Sequence, residues 1–243
     1  MGAHGFTQMN SRTTDWQSWI FDLDDTLLDT SGDLIPAAMK KACGFLVSEG
    51  ALTSIDVGLQ KWSQWRLQKT GIELFKKIIE LDDINRINDL AHETYDIFRR
   101  PLIPKKLNLL PGAIEILTLA KKKIPIFIVT QGDLQTQINK IKTLKIHSYF
   151  KDILYVDPYS GQSKQIAFSQ IIGQYGFAPD HVLCIGNRLD NEISLGKKVG
   201  LQTCYIPYGE HSNESPASIF EIPDFKLTSL FELKFILPLS EEQ

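Results

Sequence analysis

The chain has 243 residues, 43% of them hydrophobic, which suits one large domain or one and a half with a sizeable core. A formal net charge of −3 and a pI near 6.0 argue against nucleic acid as the main partner. No window approaches the roughly 18 apolar residues that span a bilayer, which argues against a membrane partner.

From Met1 to about Trp16 the chain is polar and rich in Gly, Ser and Thr. It lacks the apolar stretch of a signal peptide, and residues 1–16 are expected to be disordered. The first apolar run, Trp19–Leu23, leads into Asp22-Leu23-Asp24-Asp25-Thr26-Leu27-Leu28-Asp29. A buried strand ending in carboxylates needs a reason, because desolvating unpaired charge costs several kcal/mol. Two acids at i and i+2 leave a strand on one face. There one can act as nucleophile and the other as proton donor, with a hard cation neutralising both. The plainer alternative is a strand end followed by an Asx-type turn.

Between the first and second strands, from about Ser31 to Lys106, lies a gap too long for a simple crossover. No proline occurs from Ala37 to Arg100, and the apolar spacing is helical. Ile35, Ala38, Met39, Ala42 and Leu46 form one stripe; Ile87, Leu90, Ala91, Thr94 and Phe98 form another. Pro36 suits a first helical turn and Pro101 a stop. The segment reads as an inserted bundle of about four helices. Its Trp62 and Trp65 suit packing better than substrate contact, and Arg66 reads as a solvated charge.

Further strands are expected at Ile124–Val129, Ile153–Val156, Val182–Ile185 and Gln202–Ile206. They are short, near-continuously apolar and β-branched, as parallel strands buried on both faces are. Leu134, Ile138, Ile141 and Leu144 give one intervening helical stripe; Ala167, Ile171 and Tyr175 give another. The alternation implies βαβ units and an open parallel sheet. Lys121-Lys122-Lys123 falls late in a helix, where cations favour the dipole. Leu227 to Leu239 reads as a last short helix over the sheet, with Glu241-Glu242-Gln243 frayed. Cys43, Cys184 and Cys204 form no CxxC pair, and the last two sit in expected strands as small buried hydrophobes. This cysteine usage points to a reducing, cytoplasmic compartment.

The later strand ends carry helpers for the first. The second strand ends in Thr130-Gln131-Gly132-Asp133, which offers a hydroxyl and backbone N–H groups to an anion; helix capping by Asp133 is the alternative. Lys164 opens a helix after Gly161-Gln162-Ser163. A lysine there opposes the helix dipole unless an anion sits nearby or the side chain is exposed. Val182–Ile185 ends in Gly186-Asn187-Arg188-Leu189-Asp190-Asn191-Glu192, a set of hard oxygen ligands of the kind Mg²⁺ takes.

These four pieces in this order resemble the haloacid dehalogenase-like (HAD) superfamily over about Trp19 to Pro207, with the helical insertion in the place of that family's cap. The resemblance implies a Rossmann-like α/β core at 17–31 and 106–243, with helices on both faces of a parallel sheet, and an all-helical cap at 32–105. It implies a phosphatase in which Asp22 becomes an aspartyl-phosphate and Asp24 protonates the leaving oxygen, then activates water. Thr26 would steady the loop. Thr130, Gln131 and Gly132 would hold the phosphoryl group, with Lys164 neutralising it. Mg²⁺ would be held by Asp22, the Asp24 carbonyl and Asn187, with Asp190 or Glu192. Dehalogenating members typically lack an acid two residues after the nucleophile, so Asp24 favours phosphoryl chemistry on a small phosphorylated metabolite. The family usually has Gly-Asp where this chain has Gly186-Asn187, which removes one negative charge from the metal site. Gln131 and Gln165 also replace the usual Asn and Pro. Two alternatives stay open: a weakened member that binds a phosphorylated ligand or a protein partner without turnover, and a phosphotransferase. The sequence does not distinguish a monomer from a homodimer.

Overall fold

The structure is a computed structural model that describes residues 15–238. The expected disordered segment lies outside the described residues except for Asp15 and Trp16, and so does the frayed Glu241-Glu242-Gln243. Trp16 itself is buried, and its indole N–H donates to the Ile236 carbonyl at 2.7 Å.

Six strands form one sheet: β1 Ser18–Phe21, β2 Ile126–Gln131, β3 Asp152–Val156, β4 Val182–Gly186, β5 Gln202–Tyr205 and β6 Phe225–Lys226. Their order is β3-β2-β1-β4-β5-β6, and each neighbouring pair is parallel. β1 and β4 are buried along their whole length, as strands covered on both faces are. β6 was not expected; two residues are too few to show a period.

The helices are α1 Thr30–Asp33, α2 Ile35–Ser48, α3 Ile55–Trp65, α4 Gly71–Ile78, α5 Ile84–Arg99, α6 Ala113–Lys121, α7 Leu134–Leu144, α8 Lys164–Tyr175 and α9 Ser194–Lys198. The tail forms a 3₁₀ helix, Leu230–Ile236, with Leu230, Leu233 and Ile236 buried. Among the described residues no helix is long and apolar enough to cross a membrane.

The chain forms two compact units. Of the described residues, one comprises 15–28, 109–131 and 145–238, the other 29–108 and 132–144. The first holds the sheet. Ile20, Phe127, Val129, Val182 and Cys184 meet Ala167, Phe168 and Ile171 of α8 in one apolar cluster. Each Val, Ile or Phe side chain there contributes about 1.5–3 kcal/mol by leaving water. In the second unit, Met39, Ala42, Cys43 and Leu46 of α2 share a core with Leu74, Phe75 and Ile78 of α4 and Leu90 and Ala91 of α5. Ser54 and Asp83 cap α3 and α5 by accepting from backbone N–H groups, so the sequence marks these helix starts.

The segment 132–144, and with it α7, groups with the helical unit, whereas the sequence placed it with the sheet. Its buried face also differs from the expected one. Thr136, Gln137, Lys140 and Ile141 are buried while Leu134 is exposed. The helix is oriented by its first turn. Asp133 accepts from the Thr136 N–H and hydroxyl, and the Gln137 amide folds over Gly132.

Candidate active site

The chain leaves β1 to pair leftward through β2 and β3, then returns to the right of β1 as β4. The strand order therefore reverses between β1 and β4, and open α/β sheets bind ligands outside the carboxyl ends of strands at such a point. Asp22 follows β1 there, and its N–H still donates to the Ile185 carbonyl of β4 at 2.9 Å.

The residues after Asp22 coil tightly. The N–H groups of Leu27 and Leu28 both donate to the Leu23 carbonyl at 2.9 Å. Asp25 takes a left-handed conformation at φ 56°, which Asp tolerates better than most side chains. The coil brings Thr26 back over Asp22, and its hydroxyl donates to Asp22 Oδ2 at 3.2 Å. Asp24 is half-buried on the same turn.

Lys164 is 2% exposed, and its Nζ lies 2.5 Å from Asp22 Oδ1 and 2.5 Å from Glu192 Oε1. An ammonium in the first turn of α8 opposes the helix dipole; these carboxylates are the anions that offset it. Burial works against the charged lysine but is outweighed by Asp22 and Glu192, which hold its pKa above the ordinary lysine value. Burial pushes Asp22 the other way. Desolvation raises its carboxyl to about 7 against the lowering effect of Lys164, with Glu192 and Asp24 adding to the rise.

Glu192 reaches Lys164 because residue 186 is glycine. A Cβ on Gly186 would stand 2.3 Å from Glu192 Cγ and 2.5 Å from its Cβ. The same carboxylate accepts the Arg188 N–H on Oε2 at 3.1 Å. Both Glu192 oxygens are therefore engaged in holding the lysine and the β4 turn. Asp190, also expected to be a ligand, is exposed and pairs with the Arg188 guanidinium through both oxygens, at 3.1 and 2.8 Å.

Thr130 is fully buried at the end of β2, and its hydroxyl has no hydrogen-bond partner. A buried orphan hydroxyl is costly unless a ligand completes it. Gln131 is half-buried beside it at the end of β2. Gly132 follows at φ 155°, where a Cβ would come within 2.6 Å of Gln137 Nε2. Asn187 is buried, and its Nδ2 donates to the Tyr208 carbonyl at 3.2 Å.

Among the described residues no group of three or more His, Cys, Asp and Glu side chains is arranged to hold a metal ion. That does not count against Mg²⁺, which typically takes one or two carboxylates, neutral oxygens and waters. Around Lys164, two carboxylates face one ammonium and leave one formal negative charge, to which Asp24 adds another. Excess negative charge, with neutral oxygens available at the ends of β1 and β4, fits a hard cation. The sequence did not disclose Tyr208, the clearance at Gly186 or the brace from Glu192 to Lys164. Of these, Glu192 six residues after a strand-end glycine was the one available signal.

Comparison with known proteins agrees with this geometry. A family model described as haloacid dehalogenase-like hydrolase matches residues 19–206. The chain is 26% identical over 234 residues to a glyceraldehyde 3-phosphate phosphatase of Pyrococcus furiosus, covering 89% of this chain and 91% of that one. It is 25% identical over 227 residues to a phosphoglycolate phosphatase of Photorhabdus laumondii, covering 88% of each. The fold superposes on Bacillus subtilis YfnB bound to magnesium with a TM-score of 0.63, at 23% identity and over 92% of this chain and 99% of that one. The matched span runs from β1, which delivers Asp22, through Lys164 to the end of β5, and on that match the chain belongs to the haloacid dehalogenase-like hydrolases and is an enzyme of that family.

Proposed function

We propose that the protein is a Mg²⁺-dependent phosphatase that hydrolyses a small phosphorylated metabolite through an aspartyl-phosphate on Asp22. The observation that carries this is the buried Asp22 carboxylate held by Lys164 at the β1/β4 crossing. The orphan Thr130 hydroxyl and the phosphatase names of two relatives support it. An Asp22 oxygen attacks phosphorus, the bond to the leaving oxygen breaks, and Asp24 gives that oxygen its proton. Asp24 then takes a proton from water, whose oxygen attacks phosphorus and releases Asp22. Lys164 offsets charge on Asp22 and on the phosphoryl oxygens, and Thr130, Gln131 and Gly132 donate to those oxygens. Asp22, the Asp24 carbonyl and Asn187 would hold Mg²⁺, which supplies charge neutralisation. Because this reaction is mostly positioning and charge neutralisation, these few groups are the ones it needs.

In this reading residues 32–105 are the cap that selects the substrate, and 17–31 with 106–243 are the core. Support comes from the separate apolar core that α2, α4 and α5 build between the first and second motifs. A cytoplasmic location fits three free, buried cysteines. The test is hydrolysis of p-nitrophenyl phosphate with and without Mg²⁺ by the wild type and Asp22→Asn. Mg²⁺-dependent turnover lost in the variant is expected, and equal rates in both proteins would refute it. Phosphate ester binding without turnover would favour the non-catalytic alternative, and phosphate transfer to an added alcohol the phosphotransferase one.

A further inference from the structure

We propose that the loop after β5, Tyr208 to Glu214, is a positioning element that sets the direction of the Asn187 amide, and that Glu214 is its key residue. This rests on the reading of Asn187 as a Mg²⁺ ligand. An amide has distinct ends: nitrogen donates, oxygen accepts. The Tyr208 carbonyl can only accept, so it takes Nδ2 at 3.2 Å and turns Oδ1 the other way. A carboxylate at 187 would set oxygen against oxygen at that contact. The residue one charge short for a metal is thus the one that matches its neighbour.

The loop is fixed to the turn that carries Asn187 by further bonds. Glu214 Oε2 accepts the Leu189 N–H at 2.8 Å, and Glu214 Oε1 lies 2.5 Å from His211 Nδ1. The Tyr205 hydroxyl donates to the His211 carbonyl at 2.7 Å, tying the loop to β5, and the Ile206 N–H donates to the Gly186 carbonyl at 3.0 Å. Glu214 therefore acts through the backbone of Leu189, two residues from Asn187, without being a ligand.

The test is a double-mutant cycle read as Mg²⁺ affinity by calorimetry, with no substrate present, on wild type, Asn187→Ala, Glu214→Ala and the double variant. Glu214→Ala is expected to weaken Mg²⁺ about tenfold when Asn187 is present and less than twofold when it is Ala, because there is then no amide to direct. Glu214→Gln, which keeps an acceptor for the Leu189 N–H, is expected to stay within threefold of wild type. Asn187→Asp is expected to lower the metal-free melting temperature by about 2–4 °C, the shift that one lost hydrogen bond gives at this size. Equal weakening by Glu214→Ala in both backgrounds would overturn the proposal while leaving the Mg²⁺ reading intact. A wild-type protein that takes up no Mg²⁺ would overturn both.

Discussion

Gly186→Ala gives the sharpest structural prediction. The added Cβ would meet Glu192 Cγ at 2.3 Å, Cβ at 2.5 Å and Oε2 at 2.8 Å. Glu192 cannot swing clear, because the nearest atoms are those closest to its own backbone and both its oxygens are engaged. The variant must either push the β4 turn outward or release Glu192 from Lys164. Overpacking costs about 1–3 kcal/mol, and separating a buried charge from its partner about 3–5 kcal/mol. Part of that loss is recovered because Asp22 still pairs with Lys164. We therefore expect a net destabilisation of about 3 kcal/mol, or about 6–12 °C in melting temperature at roughly 2–4 °C per kcal/mol. Urea denaturation at neutral pH measures it, with hydrolysis of p-nitrophenyl phosphate alongside, where a loss of more than tenfold is expected. A variant within 1 kcal/mol of wild type with full turnover would refute the claim that Gly186 exists to clear Glu192.

Other outcomes follow from the same structure. Asp190→Asn is expected to change stability by about 0–1 kcal/mol, as exposed ion pairs do, and to leave the Mg²⁺ midpoint of activity unchanged; a tenfold shift would restore Asp190 to the ligand set. Glu80 accepts from the Thr53 N–H and hydroxyl and pairs with Lys61, and these hold its carboxyl down at about 2. Its contribution is present above the ordinary value of about 4.5 and is lost as pH falls from there toward 2. Glu80→Gln should thus lower the melting temperature by a few degrees at pH 7 and match wild type near pH 2, and a constant difference would contradict this. Burial raises Cys43 to about 11 and Cys184 and Cys204 further above the usual thiol range, so all three should resist a disulfide-exchange reagent at pH 8 until the protein is unfolded. Rapid labelling of folded protein would show that a thiol is open.

Much of the fold is legible because burial on both faces makes β1 and β4 almost wholly apolar and abrupt at the end. The helical insertion is legible for the same kind of reason: Ala38, Met39, Ala42 and Leu46 repeat at helical spacing and are buried together. What stays hidden is set by partners distant in sequence. The buried face of α7 joins Thr136, Gln137 and Lys140 to Ile141, and no apolar period records those polar positions. At the site, the anomaly of Lys164 is visible as a lysine in a first helical turn, and it is met by Asp22, 142 residues away. The division of labour within Gly186–Glu192 is not visible. Its oxygen-bearing side chains look alike in sequence, and only their neighbours separate the Asn187 amide from a surface pair at Asp190 and a brace at Glu192.

Covalent catalysis by Asp22 is the claim on which the functional account turns. Borohydride added during turnover of a phosphate ester reduces an acyl-phosphate to an alcohol, so the modified side chain can be found by peptide mass spectrometry. The account predicts homoserine at position 22 in wild type, dependent on substrate and Mg²⁺, and none in Asp22→Asn. Continued hydrolysis with no modification at Asp22, or with modification at another carboxylate, would contradict it.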